Sequence, residues 1–463
     1  MSNAKTKPRK IGHWLASCNM SELTHVFSLK NISYRHFIDR SGKHKLIHFP
    51  LCVNAIAMKL SRPLPGLTEF IILIALLTSL TAFATDAMLP VLQVIGGDLN
   101  ISHENDAQYI ISVVFAGLAL GQLIMGPLSD SMGRKPLMYI GLGIFGVGSL
   151  LSMFSNDFNT MLIGRFLQGL GAATPRILTM ALVRDCYRGR EMARIMSLTM
   201  LIFILVPMLA PAIGQGIAWL AGWRAIFAAF LLLALGSGLW FAMRMPETLL
   251  PEDRTRLSVT EQVSAIKAVM SHRKTIGYTI MTGFIFGAFL GYLSSVQQIL
   301  QVQYELDEQF PIYFAALAAS IGAASYLNAR LVIKHGMVRL SRMALWLVII
   351  CSALFVMIAW LSSGHPNLWL FLTYIAITFI GIGMLFGNLN ALAMEPLDKH
   401  AGLGASVIGS LSTFMSIPLG TLIGQSYNGT VIPLVSGFLI MGVASYLAML
   451  WTEQTSPGKL VIR

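Results

Sequence analysis

The chain has 463 residues, of which 55% are hydrophobic and 12% charged, with a mean hydropathy of +0.68. Soluble domains carry about 25% charged residues, so this balance excludes a cytosolic enzyme and a disordered chain and leaves an integral membrane protein. The net charge of +12 does not point to nucleic acid, because +9 of it lies in residues 1–62, where eleven Lys/Arg face only Glu22 and Asp39.

In chain order, residues 1–66 come first: a basic, His-containing extension without the apolar core of a signal peptide. Three readings stand open. It is a disordered cytoplasmic tail drawn to anionic lipid, a transit peptide, or a gene-model artefact with translation beginning at Met58; the last is preferred, because Met58-Lys-Leu-Ser-Arg62 supplies a short basic start.

From Phe70 onward, apolar runs recur that are long enough to cross a bilayer core of about 30 Å. The first set lies near 69–92, 107–127, 137–155, 160–183, 195–219 and 223–244. The second lies near 275–300, 309–331, 340–361, 367–393, 402–426 and 431–451. Each must be helical, since backbone groups in lipid have no water to bond. This predicts an all-α membrane protein with two six-helix halves, residues 67–245 and 274–453, joined by a charged surface linker at 246–273 and ending in a cytoplasmic tail at 454–463.

Loop charge sets the orientation. Outside the extension, nineteen basic residues fall on one side, in the loops near 129–136, 184–194, 244–274, 330–342 and 399 and in the C-terminal tail; Arg224 alone falls opposite. The other side collects Asp98, Glu104, Asp106, Asp157, Glu305, Asp307 and Glu308. Both termini are therefore expected in the cytoplasm. The halves also echo each other: Ile213-Gly214-Gln215 returns as Ile423-Gly424-Gln425, and Met132-Gly133-Arg134-Lys135 has a looser counterpart in Lys334-His335-Gly336. Such a repeat predicts a substrate cavity between halves, reached by rocking one against the other.

The turn Gly126-Pro-Leu-Ser-Asp130-Ser-Met-Gly133-Arg134-Lys135-Pro136 resembles the signature loop of the major facilitator superfamily. Leu162-Ile-Gly-Arg165-Phe-Leu-Gln168-Gly169-Leu-Gly171-Ala172 is similar to that family's fourth-helix motif, whose buried arginine is linked to proton coupling. Pro207-Met-Leu-Ala210-Pro211-Ala-Ile-Gly214-Gln215 resembles the antiporter motif of the fifth helix, departing from it at Ala210 and Gln215, where glycine is usual. With Thr85-Asp86-Ala-Met-Leu-Pro90, these segments resemble the Bcr/CflA branch of drug:proton antiporters over about residues 66–452. The resemblance implies the major facilitator fold and a conformational latch at Gly126, Asp130, Gly133, Arg134 and Lys135 that joins the halves on the cytoplasmic side. It also implies location in a bacterial inner membrane.

Ionisable groups inside the spans are few, because each costs about 2.5–3.5 kcal/mol at a helix centre. Asp86 and Arg165 lie at similar depth in the first and fourth spans. If they pair, rocking that separates them gives Asp86 affinity for a proton and reunion releases it; the plainer reading is a permanent salt bridge pinning the two spans. Arg176 follows Arg165 by eleven residues and so faces the same way. It is a second cavity charge or a snorkelling side chain, and both remain open. Glu395 and Asp398 are placed at the cytoplasmic end of the tenth span, with proton exit past Glu395 left open. Pro207, Pro211, Gly214 and Pro418 suit helices that bend at the interface. Gln168, Arg176, Phe289, Tyr292, Gln297 and Asn388 are the candidate substrate-cavity residues, with Gln298 and Asn390 beside them.

The four cysteines show no metal-ligand spacing, no nucleophile–base set is visible and no Walker-type loop is present. No catalytic residue, metal or cofactor is therefore expected, and the resemblance implies the proton gradient as the energy source. The expected function is proton-coupled efflux of drugs or other small amphipathic compounds. Export of one endogenous metabolite, an amino acid or sugar, is the alternative, and a non-transporting sensor stands further off. The expected partners are small-molecule drugs or metabolites, protons and the lipid bilayer, with no nucleic acid, for a monomeric chain.

Overall fold

The computed structural model describes residues 37–38, 44–45, 64–255, 258–397 and 401–454. The chain divides into two compact units, Met1–Lys59 and Leu60–Arg463. In the first, Phe37–Ile38 pairs antiparallel with His44–Lys45. The other expectations for the N-terminal extension, for Asp398 and for the tail beyond residue 454 fall outside the described residues.

Among the described residues, Leu60–Arg463 is built on twelve long helices. The first six are α1 (Leu67–Asp86), α2 (Tyr109–Met132), α3 (Arg134–Met153), α4 (Phe158–Cys186), α5 (Gly189–Ala221) and α6 (Arg224–Arg244). The second six are α7 (Arg273–Gln297), α8 (Phe310–His335), α9 (Met337–Leu361), α10 (Leu368–Met394), α11 (Ala401–Gln425) and α12 (Ile432–Glu453). Among the described residues, eleven of these segments are long and apolar enough to cross a membrane, and the described part of α5 adds the apolar stretch Leu205–Ala221. The fold class is the expected one.

Local sequence explains the boundaries. Asp157 caps α4 by accepting the Thr160 N–H at 2.8 Å and its hydroxyl at 2.6 Å. These two donors hold its carboxyl below the usual range. Gly133 and Gly336 end α2 and α8 at φ +102° and +76°, each donating to the carbonyl four residues back. The turn after span two and its repeat after span eight thus share one mechanism, which needs a residue without a Cβ at the left-handed position. Pro127, Pro175, Pro207, Pro211 and Pro418 all lie within uninterrupted helices, as packed neighbours in a membrane bundle allow.

Two connections depart from the sequence reading. After α1 the chain makes a 3-10 turn at Leu89–Val91 and a short helix at Leu92–Asp98, where one run to residue 92 was expected. The 246–273 linker carries a 3-10 turn at Pro251–Asp253 and an amphipathic helix at Val259–Ser271 that packs on α11 and α7. The halves meet along two equivalent seams, α2 against α11 and α5 against α8.

Candidate binding cavity

A cavity of about 360 Å³ lies between the halves, within the range of small-molecule sites. One wall is aromatic. Phe286, Phe289 and Tyr292 recur every third residue along α7, with ring centroids 6.3 Å and 6.2 Å apart. Phe386 meets both Phe286 and Phe289 at 5.9 Å, and Phe379 meets Tyr292 at 4.7 Å. The facing wall carries Thr81, Thr85, Asp86, Gln122 and Arg176. Among the described residues, Asp86 and Arg176 are the two charged side chains on the lining.

Asp86 is 5% exposed and accepts a hydrogen bond from the Thr85 hydroxyl at 3.1 Å. The pairing expected from sequence is absent in this conformation: Asp86 and Arg165 form no ion pair. Arg165 is fully buried and donates to the Ile110 carbonyl at 3.1 Å, the Ala84 carbonyl at 2.8 Å and Gln168 Oε1 at 2.8 Å. Its guanidinium also lies 5.9 Å from the Phe227 ring centroid. The Ala84 carbonyl belongs to the last turn of α1, where helix carbonyls lack partners and the dipole end is negative, so a guanidinium is drawn there instead of to Asp86. Arg165 thereby fixes the backbone two residues before Asp86 against α2 and α4.

Gly214 acts by proximity: a Cβ there would stand 1.9 Å from the Ala87 carbonyl oxygen. Only glycine lets α5 cross α1 at the residue after Asp86, a different reason for this residue than the bending expected of it. Gly216 has nothing near it.

The end of the bundle that bears the acidic loops is sealed by amides. Gln108 Nε2 donates to Gln298 Oε1 at 2.5 Å, and Gln298 Nε2 to Asn105 Oδ1 at 2.8 Å. Asn105 Nδ2 donates to the carbonyls of Gln425 and Tyr427 at 3.1 Å and 3.0 Å. The repeated glutamines reciprocate across the halves: Gln215 donates to the Asp307 carbonyl at 3.3 Å, and Gln425 to the Asn105 carbonyl at 2.8 Å. On the same end, Arg224, the single basic residue there by sequence, pairs with Asp98 at 3.6 Å.

At the basic end, Arg134 is 3% exposed and bridges Asp130 at 2.6 Å and Asp185 at 3.0 Å, and it also touches Ser129. The backbone N–H groups of Arg134 and Lys135 each donate to Glu247 at 3.0 Å, and Lys135 Nζ to the carbonyls of Ala242 and Met245. The partners of Arg134 thus lie in the first half and the start of the linker. Gly126 faces the second half, where its Cβ would meet Ser406 Oγ at 3.1 Å.

The structure brings Asp86, Arg176, Phe289 and Tyr292 onto the cavity, together with Pro207. It takes three of the expected cavity residues elsewhere. Gln168 is held by Arg165 and donates to Ser149 at 2.8 Å. Gln297 bonds Gln301 at 2.7 Å, because the π-turn Gln298–Gln303 shifts the register at the end of α7. Asn388 pairs with Asn328 at 3.1 Å and 2.8 Å, and Asn390, about 200° further round the helix, lines the cavity instead. Glu395 is exposed at the end of α10. Sequence reasoning missed Phe286, Gln122, Phe379 and Phe386; the three-residue aromatic spacing Phe286, Phe289, Tyr292 was the signal for the first.

A family model described as Major Facilitator Superfamily matches residues 74–421. The chain is 28% identical over 381 residues to the bicyclomycin resistance protein homolog of Haemophilus influenzae, covering 82% of this chain and 94% of that one. It is 26% identical over 411 residues to multidrug resistance protein D of Escherichia coli, covering 84% and 98%. Among solved structures, the xylose transporter XylE of Escherichia coli in a partially occluded inward open conformation superposes with a TM-score of 0.62 at 14% identity, covering 85% and 99%. That last likeness is one of fold.

Proposed function

The chain belongs to the major facilitator superfamily and is a multi-pass membrane transporter of small molecules, not an enzyme; we propose that it exports small amphipathic compounds in exchange for protons. The observation that carries this reading is the cavity itself, where one carboxyl, Asp86, shares the lining with an aromatic wall. A carboxylate without a cationic partner in a low-dielectric site is costly, and a proton or a substrate group can relieve that cost. Asp86 therefore serves as the residue at which proton and substrate compete. Arg165 acts on it through the α1 backbone. Relatives whose names concern bicyclomycin and multidrug resistance support drug efflux as the task.

In this reading the basic end faces the cytoplasm of a bacterial inner membrane, in keeping with the loop charges. The amide seal then closes the periplasmic side, and the cavity belongs to the inward-facing half of the cycle. Rocking along the α2–α11 and α5–α8 seams opens the other side. The membrane potential contributes about 2.3 kcal/mol per charge per 100 mV to the exchange.

Proteoliposomes with an imposed pH gradient test the proposal, using a panel of unrelated drugs, amino acids and sugars. Drug-dependent proton movement in the native chain, abolished in Asp86→Asn, is the expected result. Full proton-coupled transport by Asp86→Asn rejects the role of Asp86, and movement of one metabolite alone rejects multidrug export.

A further inference from the structure

Arg176 has no structural employment. It lies inside α4, its side chain is accessible within the cavity, and it makes no ion pair or side-chain hydrogen bond to any described residue. This differs sharply from Arg165, whose donors are bound on three sides. An unpaired guanidinium within a membrane span is expensive to keep and marks a site. A second observation points the same way. Gln122 is also on the lining, and its Nε2 is buried without a hydrogen-bond partner. Its helix packs on α4 nearby, where a Cβ on Gly121 would lie 2.5 Å from that of Ala173. The unused guanidinium of Arg176 thus borders this end of the cavity, with the unpartnered Gln122 amide packed behind the lining.

The depth of this end follows from contacts between α1 and α4. The Thr81 hydroxyl donates to the Ala172 carbonyl at 3.3 Å, and Thr78 to the Thr179 hydroxyl at 3.2 Å. Arg176 falls between those levels, roughly seven residues or about 10 Å along the axis from Asp86. The rings of Phe286, Phe289 and Phe386 share this cavity. A fork of N–H donors suits a planar or tetrahedral oxyanion, which it binds by paired, charge-assisted bonds.

We propose that the cavity recognises organic anions, an aromatic body bearing a carboxylate or sulfonate, by seating the anionic group on Arg176, beside Gln122, and the ring against the α7 aromatic wall. This deepens the export reading and rests on the same cavity: the anionic group sits on Arg176, and it is the opposite end of the substrate that competes with the proton at Asp86. Arg176 disfavours cations at its end, so substrates carrying a single positive charge are oriented toward Asp86 or excluded.

The test uses the purified full chain in lipid nanodiscs, with calorimetric titration of three matched probes against an empty-nanodisc baseline: 2-naphthoate, 2-naphthamide and 2-naphthylmethylammonium. In the native chain 2-naphthoate binds at least ten-fold tighter than the amide. Arg176→Gln reduces that ratio below three-fold while leaving the amide affinity within two-fold, and Arg176→Lys retains most of the preference; size-exclusion profiles show that the variants are folded. If Arg176→Gln does not fold, the native ratio and Arg176→Lys decide. Equal binding of naphthoate and amide by the native chain, binding of no probe, or a ratio unchanged by Arg176→Gln overturns the proposal. Proton coupling is read separately. A naphthoate preference without gradient-driven transport rejects antiport and leaves the role of Arg176 standing, whereas proton-coupled transport without that preference does the reverse.

Discussion

Arg165 offers the sharpest test of how this bundle is held. Its three acceptors lie on α1, α2 and its own helix. A lysine carries one nitrogen and cannot reach all three, so Arg165→Lys loses at least one charge-assisted bond, about 2 kcal/mol. Arg165→Gln also leaves the Ala84 carbonyl and Gln168 Oε1 without their donors, which raises the expected loss to about 4 kcal/mol. Unfolding in mixed detergent, followed by circular dichroism, reads these values. A double-mutant cycle then separates clasp from ion pair. Arg165→Lys with Gln168→Leu should show coupling of about 1 kcal/mol or more, as bonded neighbours do, whereas Arg165→Lys with Asp86→Asn should be additive within about 0.5 kcal/mol. Coupling above about 1 kcal/mol between Asp86 and Arg165 would refute the clasp and restore the pair expected from sequence.

Two further outcomes follow from the geometry beside the cavity. Gly214→Ala should push α5 off α1 and cost about 1–3 kcal/mol with slowed transport, while Gly216→Ala, two residues on in open space within the same helix, should leave transport unchanged and stability equal or up to about 1 kcal/mol higher; equal losses in a thermal-shift and transport comparison would contradict the close-approach argument. Gln298→Ala removes the amide that bonds both Gln108 and Asn105. Spin labels at His103→Cys and Glu308→Cys, both exposed, should then report a longer-distance population in pulsed dipolar spectroscopy, and an unchanged distribution would show that the seal does not hold the acidic end shut.

The helices were legible because a spanning segment must be long, apolar and internally hydrogen-bonded, and twelve runs satisfy those demands. The charges within the spans were legible for the same reason: Asp86, Arg165 and Arg176 stand out against apolar surroundings. Their partners were not. Arg165 binds backbone carbonyls, which every residue possesses, so no side-chain pattern marks them. Gln168, Gln297 and Asn388 read as cavity residues from sequence because an amide in an apolar run has two equivalent explanations, a ligand and a neighbouring polar group. Which one applies depends on helix rotation, and one π-turn at Gln298–Gln303 was enough to redirect the end of α7. Phe286 was readable from its spacing, whereas Phe379 and Phe386 needed the packing of α10 against α7 to distinguish them from lipid-facing aromatics.

The reciprocal reach of Gln215 to the Asp307 carbonyl and Gln425 to the Asn105 carbonyl has a consequence for sequence drift. Both acceptors are main-chain oxygens, so Asp307 can change identity and keep its bond, whereas Asn105 is also held by its side-chain bonds to Gln298, Gln425 and Tyr427. For these two bonds the constraint on the donor side falls on Gln215 and Gln425. At about 1 kcal/mol per bond, loss of one glutamine raises the opened population about fivefold and loss of both about thirtyfold. The paired glutamines give the protein a closure that weakens by steps, so a single substitution shifts the balance between its two faces without abolishing either.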